Sequence, residues 1–253
     1  MENPIRINKF LSKKGIASRR NSEKLILENR VKINGKFAKI GQFVVESDQI
    51  EIDGTKIGRK PRIYWYAINK PKNCISSRFD PENRRTIIDF FNKNTYLFPV
   101  GRLDYDTTGI ILVTNDGEIA HKLLHPSFEI ERKYLVETDF SLSENEIDFL
   151  NTRKIYLDGV KSVQKIEKVA SRKFLVQVWQ GSNHHIKKIF AVIKKKVINL
   201  ERVNFAGISV GKLKYGEFRK LTNAEIKSLM FQVQDKKNYD FAKKSSKKIG
   251  FKN

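Results

Sequence analysis

The sequence predicts an α+β protein in two parts, a small helix-then-strand module followed by a larger region of mixed strands and helices. Three observations carry this. Residues 1–58 run from helical spacing into short alternating strands, and residues 59–63 are basic and interrupted by Pro61, as in a linker. Residues 64–235 then alternate apolar runs of strand length with helical stretches, ahead of a Lys-rich tail over 236–253.

In the first module, Ile7, Phe10 and Leu11 have helical spacing, and Gly15 is placed as a left-handed stop. Ser18 is the expected N-cap of a second helix with Leu25 and Ile26 inward and Asn29 as its left-handed end. Val31, Ile33 and Asn34-Gly35 read as a strand entering a tight turn, with further short strands to Ile50–Ile52. Arg19 and Arg20 fall in the first turn of the second helix, where the dipole disfavours cations. A helix N-terminus also presents free N–H groups to anions, so the pair reads either as solvated charge or as a phosphate clamp.

In the larger region the strand expectations are 63–69, 95–101 and 110–114, with Asn115-Asp116-Gly117 as a turn before a helix over 118–124. Between the second and third strands lies RLDYDTT, a loop displayed on a rigid frame. It carries Arg102, Asp104 and Asp106; an aspartate in such a loop is commonly a turn former, and a neighbouring Arg favours an ionised, aimed carboxylate.

Fifty Lys and Arg against 28 Asp and Glu give a formal charge of +22, which makes a polyanion the natural partner, nucleic acid first. No apolar run approaches the ~20 residues of a spanning helix. The N-terminus lacks the apolar core of a secretory signal. One cysteine, Cys74, excludes an internal disulfide, and with four scattered His it makes no metal-ligand cluster. A reducing cytoplasm, no structural metal and no membrane partner are the expectations.

Four ordered segments then carry a resemblance. IRINKFLSKKGIASRRNSEKLI followed by VKINGKFAKIG resembles an S4 RNA-binding domain. VGRLDYDTTGIILVTNDGE, ERKYLVET and QGSNHHIKKIFAVIKKKVINLERVNFAGISVGKLKYGEFRKLT resemble the ribosomal RNA pseudouridine synthases of the small-subunit uridine type and their large-subunit relatives. The resemblance implies an S4-type module ahead of a mixed, mostly antiparallel-sheet synthase domain. It also implies isomerisation of uridine to pseudouridine with no cofactor and no metal. Ribosomal RNA or a ribosomal subunit precursor is the implied partner, with the large-subunit RNA favoured and the protein a monomer.

Position by position, the resemblance assigns Asp104 as the catalytic carboxylate, Tyr134 as the ring that packs on the base, and Lys187 as the cation paired with Asp104. Ile186 becomes a pocket-lining residue, and Lys188 joins Arg19 and Arg20 among the RNA contacts. Arg102 either fills the space left by a flipped base or orients Asp104 through an ion pair. Asp106 has no match to the catalytic position and is expected to shape the loop. Departures fall at Gln180, where many relatives carry Glu, at Ser182, where they carry Arg or Lys, and at His185, where they carry Gln. Two rival readings stand beside this one: a non-catalytic RNA-binding assembly factor, for which Asp104, Tyr134 and Lys187 need not coexist, and a metal-dependent nuclease using Asp104 and Asp106.

Overall fold

A computed structural model describes residues 3–58, 62–92, 95–152 and 154–234. The tail over 236–253 and residues 59–61 of the expected linker lie outside the described residues. The chain divides into two compact units. One takes in the residues up to Tyr64 together with Asn92–Leu97 and Asn115–Gly117; the other holds the remainder. Asn115 joins the first unit by accepting from the Tyr64 N–H at 2.8 Å and donating to the Arg62 carbonyl at 2.9 Å.

In the first unit, β1 (Ile5–Arg6) leads into α1 (Ile7–Lys13), and α2 (Arg19–Leu27) follows. Ile7, Phe10 and Leu11 are buried, Gly15 has φ of 77°, and Ser18 caps α2 by accepting from the Asn21 N–H at 3.0 Å. Strands β2 (Val31–Ile33), β3 (Lys36–Phe37), β4 (Phe43–Val44), β5 (Ile50–Ile52) and β6 (Thr55–Lys56) complete it. The Asn34-Gly35 turn has positive φ at both residues, as a tight hairpin requires. Val31, Ile33, Val44 and Ile50 close over the helices in one apolar core.

The second unit is built on a nine-stranded sheet. Its members in chain order are β7 (Trp65–Lys70), β8 (Phe98–Val100), β9 (Thr108–Thr114) and β10 (Arg132–Thr138). After the hairpin β11 (Tyr156–Leu157) and β12 (Val160–Lys161) come β13 (Gln164–Ala170), β14 (Lys173–Val178), β15 (Val197–Phe205), β16 (Ile208–Ser209) and β17 (Phe218–Lys220). The spatial order is β13-β14-β10-β15-β9-β7-β17, with β8 on β9 and β16 on β15. Every pairing in it is antiparallel except β9 with β15, which makes the sheet mixed and mostly antiparallel. Helices α3 (Gly117–Leu124), α4 (Glu144–Asn151), α5 (His185–Ala191) and α6 (Asn223–Gln232) belong to the same region.

Strand lengths depart from the expectations in instructive ways. The run 95–101 pairs only over Phe98–Val100, and Gly101, in the left-handed region at φ 81°, ends it. The third strand instead extends back to Thr108 and is buried along its whole length. That extension rests on Gly109: a Cβ there would stand 2.2 Å from the Arg202 carbonyl oxygen, so only glycine allows β9 to lie against β15. A register shift between Lys133 and Tyr134 in the β10–β15 ladder then changes the alternation of β15. Leu200 and Arg202 face inward, and after the bulge so does Phe205.

Helix α6 begins with a reciprocal cap in which Thr222 and Glu225 bond each other's backbone N–H. Arg219 grips the same carboxylate at 2.7 and 2.8 Å. These Arg219 bonds, opposed by burial and helped by the Thr222 N–H, push the Glu225 carboxyl from its ordinary 4.5 to about 2. A depressed carboxyl stabilises the fold above its unfolded pKa and loses that contribution as pH falls through the folded one. Glu225→Gln should destabilise the protein by about 1–2 kcal/mol near neutral pH. In urea titrations the gap from wild type should close as pH falls from 4.5 towards 2; a gap that persists at the acid end contradicts the assignment.

Candidate active site

The loop between β8 and β9 is held from beneath by a residue not singled out in the sequence. Lys70 ends β7 with a wholly buried side chain. Its ammonium donates to the carbonyls of Thr107 at 2.7 Å, Asp104 at 3.0 Å and Pro71 at 3.0 Å. The Tyr105 carbonyl lies within reach at 3.5 Å, so three protons are shared among four carbonyls and add to the turn's own backbone bonds. A second tie is reciprocal: Ser76 Oγ donates to the Leu103 carbonyl at 2.8 Å and accepts from the Leu103 N–H at 3.1 Å. The turn itself closes through the Thr107 N–H on the Asp104 carbonyl at 3.1 Å.

Fixed in this way, the loop directs both carboxylates towards α5. Lys187 Nζ lies 3.4 Å from Asp104 and 3.0 Å from Asp106. Asp106 therefore takes the shorter contacts of a shared lysine and is more than the loop-shaping acceptor expected from sequence. Burial works against the charge on Lys187, yet Asp106 and then Asp104 hold the ammonium above the ordinary lysine value. Lys187 in turn keeps Asp106 below the usual carboxylate range, against the pull of burial. His184 Nε2 stands 3.8 Å from the Asp104 carboxylate. It occupies a left-handed position, φ 54°, immediately before α5. A strained non-glycine backbone beside a catalytic candidate is a feature of built sites.

Asp104 lines a cavity of about 350 Å³ together with Arg102, Tyr134, Ile186, His184 and Arg202. Tyr134 gets there by strand alternation: Arg132, Tyr134, Val136 and Thr138 all face inward from β10. Ile186 is buried at the start of α5. Arg102 is exposed and makes no hydrogen bond or ion pair with any described residue, so its guanidinium is not spent on orienting Asp104. Lys188 is turned away into an ion pair with Asp158. Arg19 and Arg20 are exposed at the start of α2 in the other unit.

Four residues escaped the sequence reading: Lys70, Arg132, His184 and Arg202. The available signals were a lysine closing an apolar strand, an arginine two positions before Tyr134 on the same strand face, and an arginine inside INLERVNF. Burial of these cations is a tertiary property, and in a chain with 50 Lys and Arg such positions do not stand out.

The departures at 182 and 185 turn out to be linked. His185 is buried, with Nδ1 2.9 Å from Ser182 Oγ and Nε2 3.1 Å from Ser162 Oγ. Ser162 Oγ donates to Gln164 Oε1 at 2.7 Å, and Gln164 Nε2 donates to the Leu150 carbonyl. A carbonyl can only accept, which fixes the direction of the whole chain. Gln164 presents its oxygen to Ser162, Ser162 accepts from His185 Nε2–H, and Ser182 donates to the bare Nδ1. Burial, with Arg132 and Lys188 nearby, holds the imidazole below its ordinary pKa and favours this neutral form. The wall of the cavity at Ser182 is thereby tied to the end of α4.

Burial pushes the Lys70 ammonium down from 10.5 to about 8, opposed by Cys74, Asp106 and Asp104. Between those values the unfolded chain binds more protons than the folded one, so this group makes stability rise with pH. Compared with Lys70→Met, wild type should gain stability as pH rises from 8 to 10.5 in chemical denaturation. A flat difference over that range would show that the ammonium is not buried in solution.

Among the described residues no group of three or more His, Cys, Asp and Glu is placed to hold a metal ion. The family model described as RNA pseudouridylate synthase matches residues 64–192, and the S4 domain model matches residues 5–50. The chain is 36% identical to ribosomal large subunit pseudouridine synthase B of Bacillus subtilis, over 92% of this chain and 98% of that protein. It is 33% identical to the dual-specificity RNA pseudouridine synthase RluF of Escherichia coli K12, over 92% of this chain and 81% of that one. A solved structure described as a pseudouridylate synthase superposes with a TM-score of 0.65 at 28% identity, covering 89% of this chain and 99% of its own. With Asp104 and Tyr134 lining one cavity, Lys187 paired to that aspartate and both domain models matched in order, the chain belongs to the RNA pseudouridylate synthase family and carries an S4 domain ahead of the synthase domain.

Proposed function

We propose that the protein isomerises a specific uridine to pseudouridine in ribosomal RNA, with the large-subunit RNA as its substrate. The observation that carries this is Asp104 lining a nucleoside-sized cavity beside Tyr134, with the Lys187 ammonium 3.4 Å away. A paired base must leave its stack to enter, at a cost of a few kcal/mol. The unpaired Arg102 guanidinium at the cavity is suited to fill the vacated space, since it can stack on bases and bond phosphate.

The Asp104 carboxylate meets C1′ as the glycosidic bond breaks, and the electron pair stays on the base. The Tyr134 ring holds the detached uracil by its face, a contact that tolerates rotation about the ring normal. Bond formation from C5 to C1′ completes the exchange; the C5 proton leaves and N1 gains one, so nothing is oxidised or reduced. The first unit, with Arg19 and Arg20 at a helix start, supplies phosphate contacts that position the RNA without reading sequence. The expected setting is the cytoplasm, with the protein acting as a monomer on free RNA or a subunit precursor. The large-subunit preference draws support from the named activity of the Bacillus subtilis relative. The alternative of a non-catalytic assembly factor finds no support among the relatives, whose names are those of synthases.

Asp104→Asn should lower pseudouridine formation on the order of 10³-fold or more while RNA affinity stays within about two-fold. Turnover retained in that variant would refute the role of Asp104. The target follows from mapping pseudouridines across ribosomal RNA in cells with and without the protein, where one large-subunit position should revert to uridine. Replacing both Arg19 and Arg20 by Ala should weaken RNA binding and reduce the salt slope by about 1–2, with little change in rate at saturating RNA. Unchanged affinity and slope would return these arginines to solvated surface charge.

A further inference from the structure

Two buried arginines at the cavity have no counterion. Arg202 is 3% exposed and Arg132 is 8% exposed, and neither has a carboxylate within ion-pair distance among the described residues. Arg132 spends its donors on backbone: Nη1 on the Ile130 carbonyl at 2.9 Å and the Trp179 carbonyl at 3.4 Å, Nη2 on the Leu123 carbonyl at 3.5 Å. Arg202 donates from Nε to the Ile110 carbonyl at 2.8 Å, while its Nη2 is sealed from water without a partner. Both guanidinium groups lie over one ring, Phe205, at 5.3 and 4.7 Å.

An uncompensated buried cation costs several kcal/mol, and two placed together cost more. Burial lowers the pKa of both below the ordinary arginine value, with the nearby Tyr134 hydroxyl acting the other way. Guanidinium groups nonetheless stay charged at neutral pH. Fold stability does not explain the arrangement, since a neutral side chain would pack at less cost. Placement does: Arg202 stands opposite Tyr134 in the β10–β15 register, and Arg132 precedes Tyr134 by two on the same face. The positive charge is fixed beside the ring on which the base is expected to rest.

We propose that Arg132 and Arg202 supply the standing positive charge that stabilises uracil as an anion after the glycosidic bond breaks. This rests on the isomerase reading above. The electron pair of the C1′–N1 bond passes to the base, where the charge spreads over N1, O2, C5 and O4, and C1′ is left electron-poor beside Asp104. Attack of C5 on C1′ consumes the charge, after which the C5 proton leaves and N1 is protonated. A preorganised charge in a dry site does this without reorganisation at the moment of reaction. It acts on the anion and on the bond-breaking step that produces it, and not on RNA binding.

The test varies the leaving group. Arg202→Met keeps the shape and removes the charge. In single-turnover reactions its loss of rate on uridine-containing RNA should be on the order of 100-fold. On the same RNA with 5-fluorouridine at the target, whose base is the more stable anion, loss of the glycosidic bond should be slowed less than about ten-fold. Equal slowing on both RNAs, or no slowing, overturns the proposal, because a merely structural role does not sense leaving-group acidity. Wild-type protein supplies an arm that does not depend on the folding of a variant. 5-Nitrouracil, ionised at neutral pH, should inhibit at least about ten-fold more strongly than neutral uracil; equal inhibition overturns the proposal. A wild-type protein that forms no pseudouridine in any ribosomal RNA sinks the isomerase reading itself, an outcome distinct from either of these.

Discussion

The loop that carries Asp104 and Asp106 depends on one buried ammonium. A turn that points two carboxylates outward at Asp104 and Asp106 leaves its carbonyls pointing inward, into an apolar interior that offers them no water. Lys70 donates to the Asp104 and Thr107 carbonyls of this turn and to that of Pro71, and adds a positive charge under the loop. The lysine accepts a lowered pKa for this, as burial without a paired carboxylate requires. The position of Asp104 is thus set by the backbone beneath it, which leaves its side chain free to face the cavity.

The charges of the site fall into two groups with different duties. Asp104, Asp106 and Lys187 form a near-balanced cluster at its rim, where Lys187 binds one carboxylate closely and leaves the other at a looser 3.4 Å. Arg132 and Arg202 form an unbalanced pair deeper in, over Phe205. The first group sets two carboxylates against one ammonium; the second leaves positive charge in the interior with only backbone and ring partners. The 350 Å³ cavity between them is at the small end of ligand sites, a size suited to one nucleoside.

How much of this was legible in sequence varied with the range of the interaction. Local signals were read well: the Ser18 cap, the Gly15 stop and the Asn34-Gly35 turn all stand where short-range chemistry put them. Strand limits were read less well, because Gly101 ended one strand early and Gly109 let the next begin early against a partner 93 positions away in the chain. At the site, Asp104, Tyr134 and Ile186 were identified through motif resemblance, and the structure gathers them at one cavity. Lys70, Arg132 and Arg202 were hidden because lysine and arginine are the commonest charges in this chain and nothing local marks a buried one. The pairing of Lys187 with Asp106 was also missed, since it depends on a turn that turns two carboxylates the same way. The Ser182 and His185 departures were visible separately, but the bond that relates them passes through Ser162 and Gln164, which no nearby spacing brings to notice.

The parallel step between β9 and β15 has a consequence for the tolerance of the protein to change. It spans two residue pairs, Thr108 with Glu201 and Gly109 with Arg202, and joins two antiparallel ribbons. Asp104 is mounted on one ribbon, while Tyr134 and Arg202 ride on the other. A substitution in the interior of either ribbon displaces its own passengers together and preserves their mutual spacing. The vulnerable dimension is the seam, where a single added methyl group at position 109 would push apart the ribbons that carry Asp104 and Tyr134.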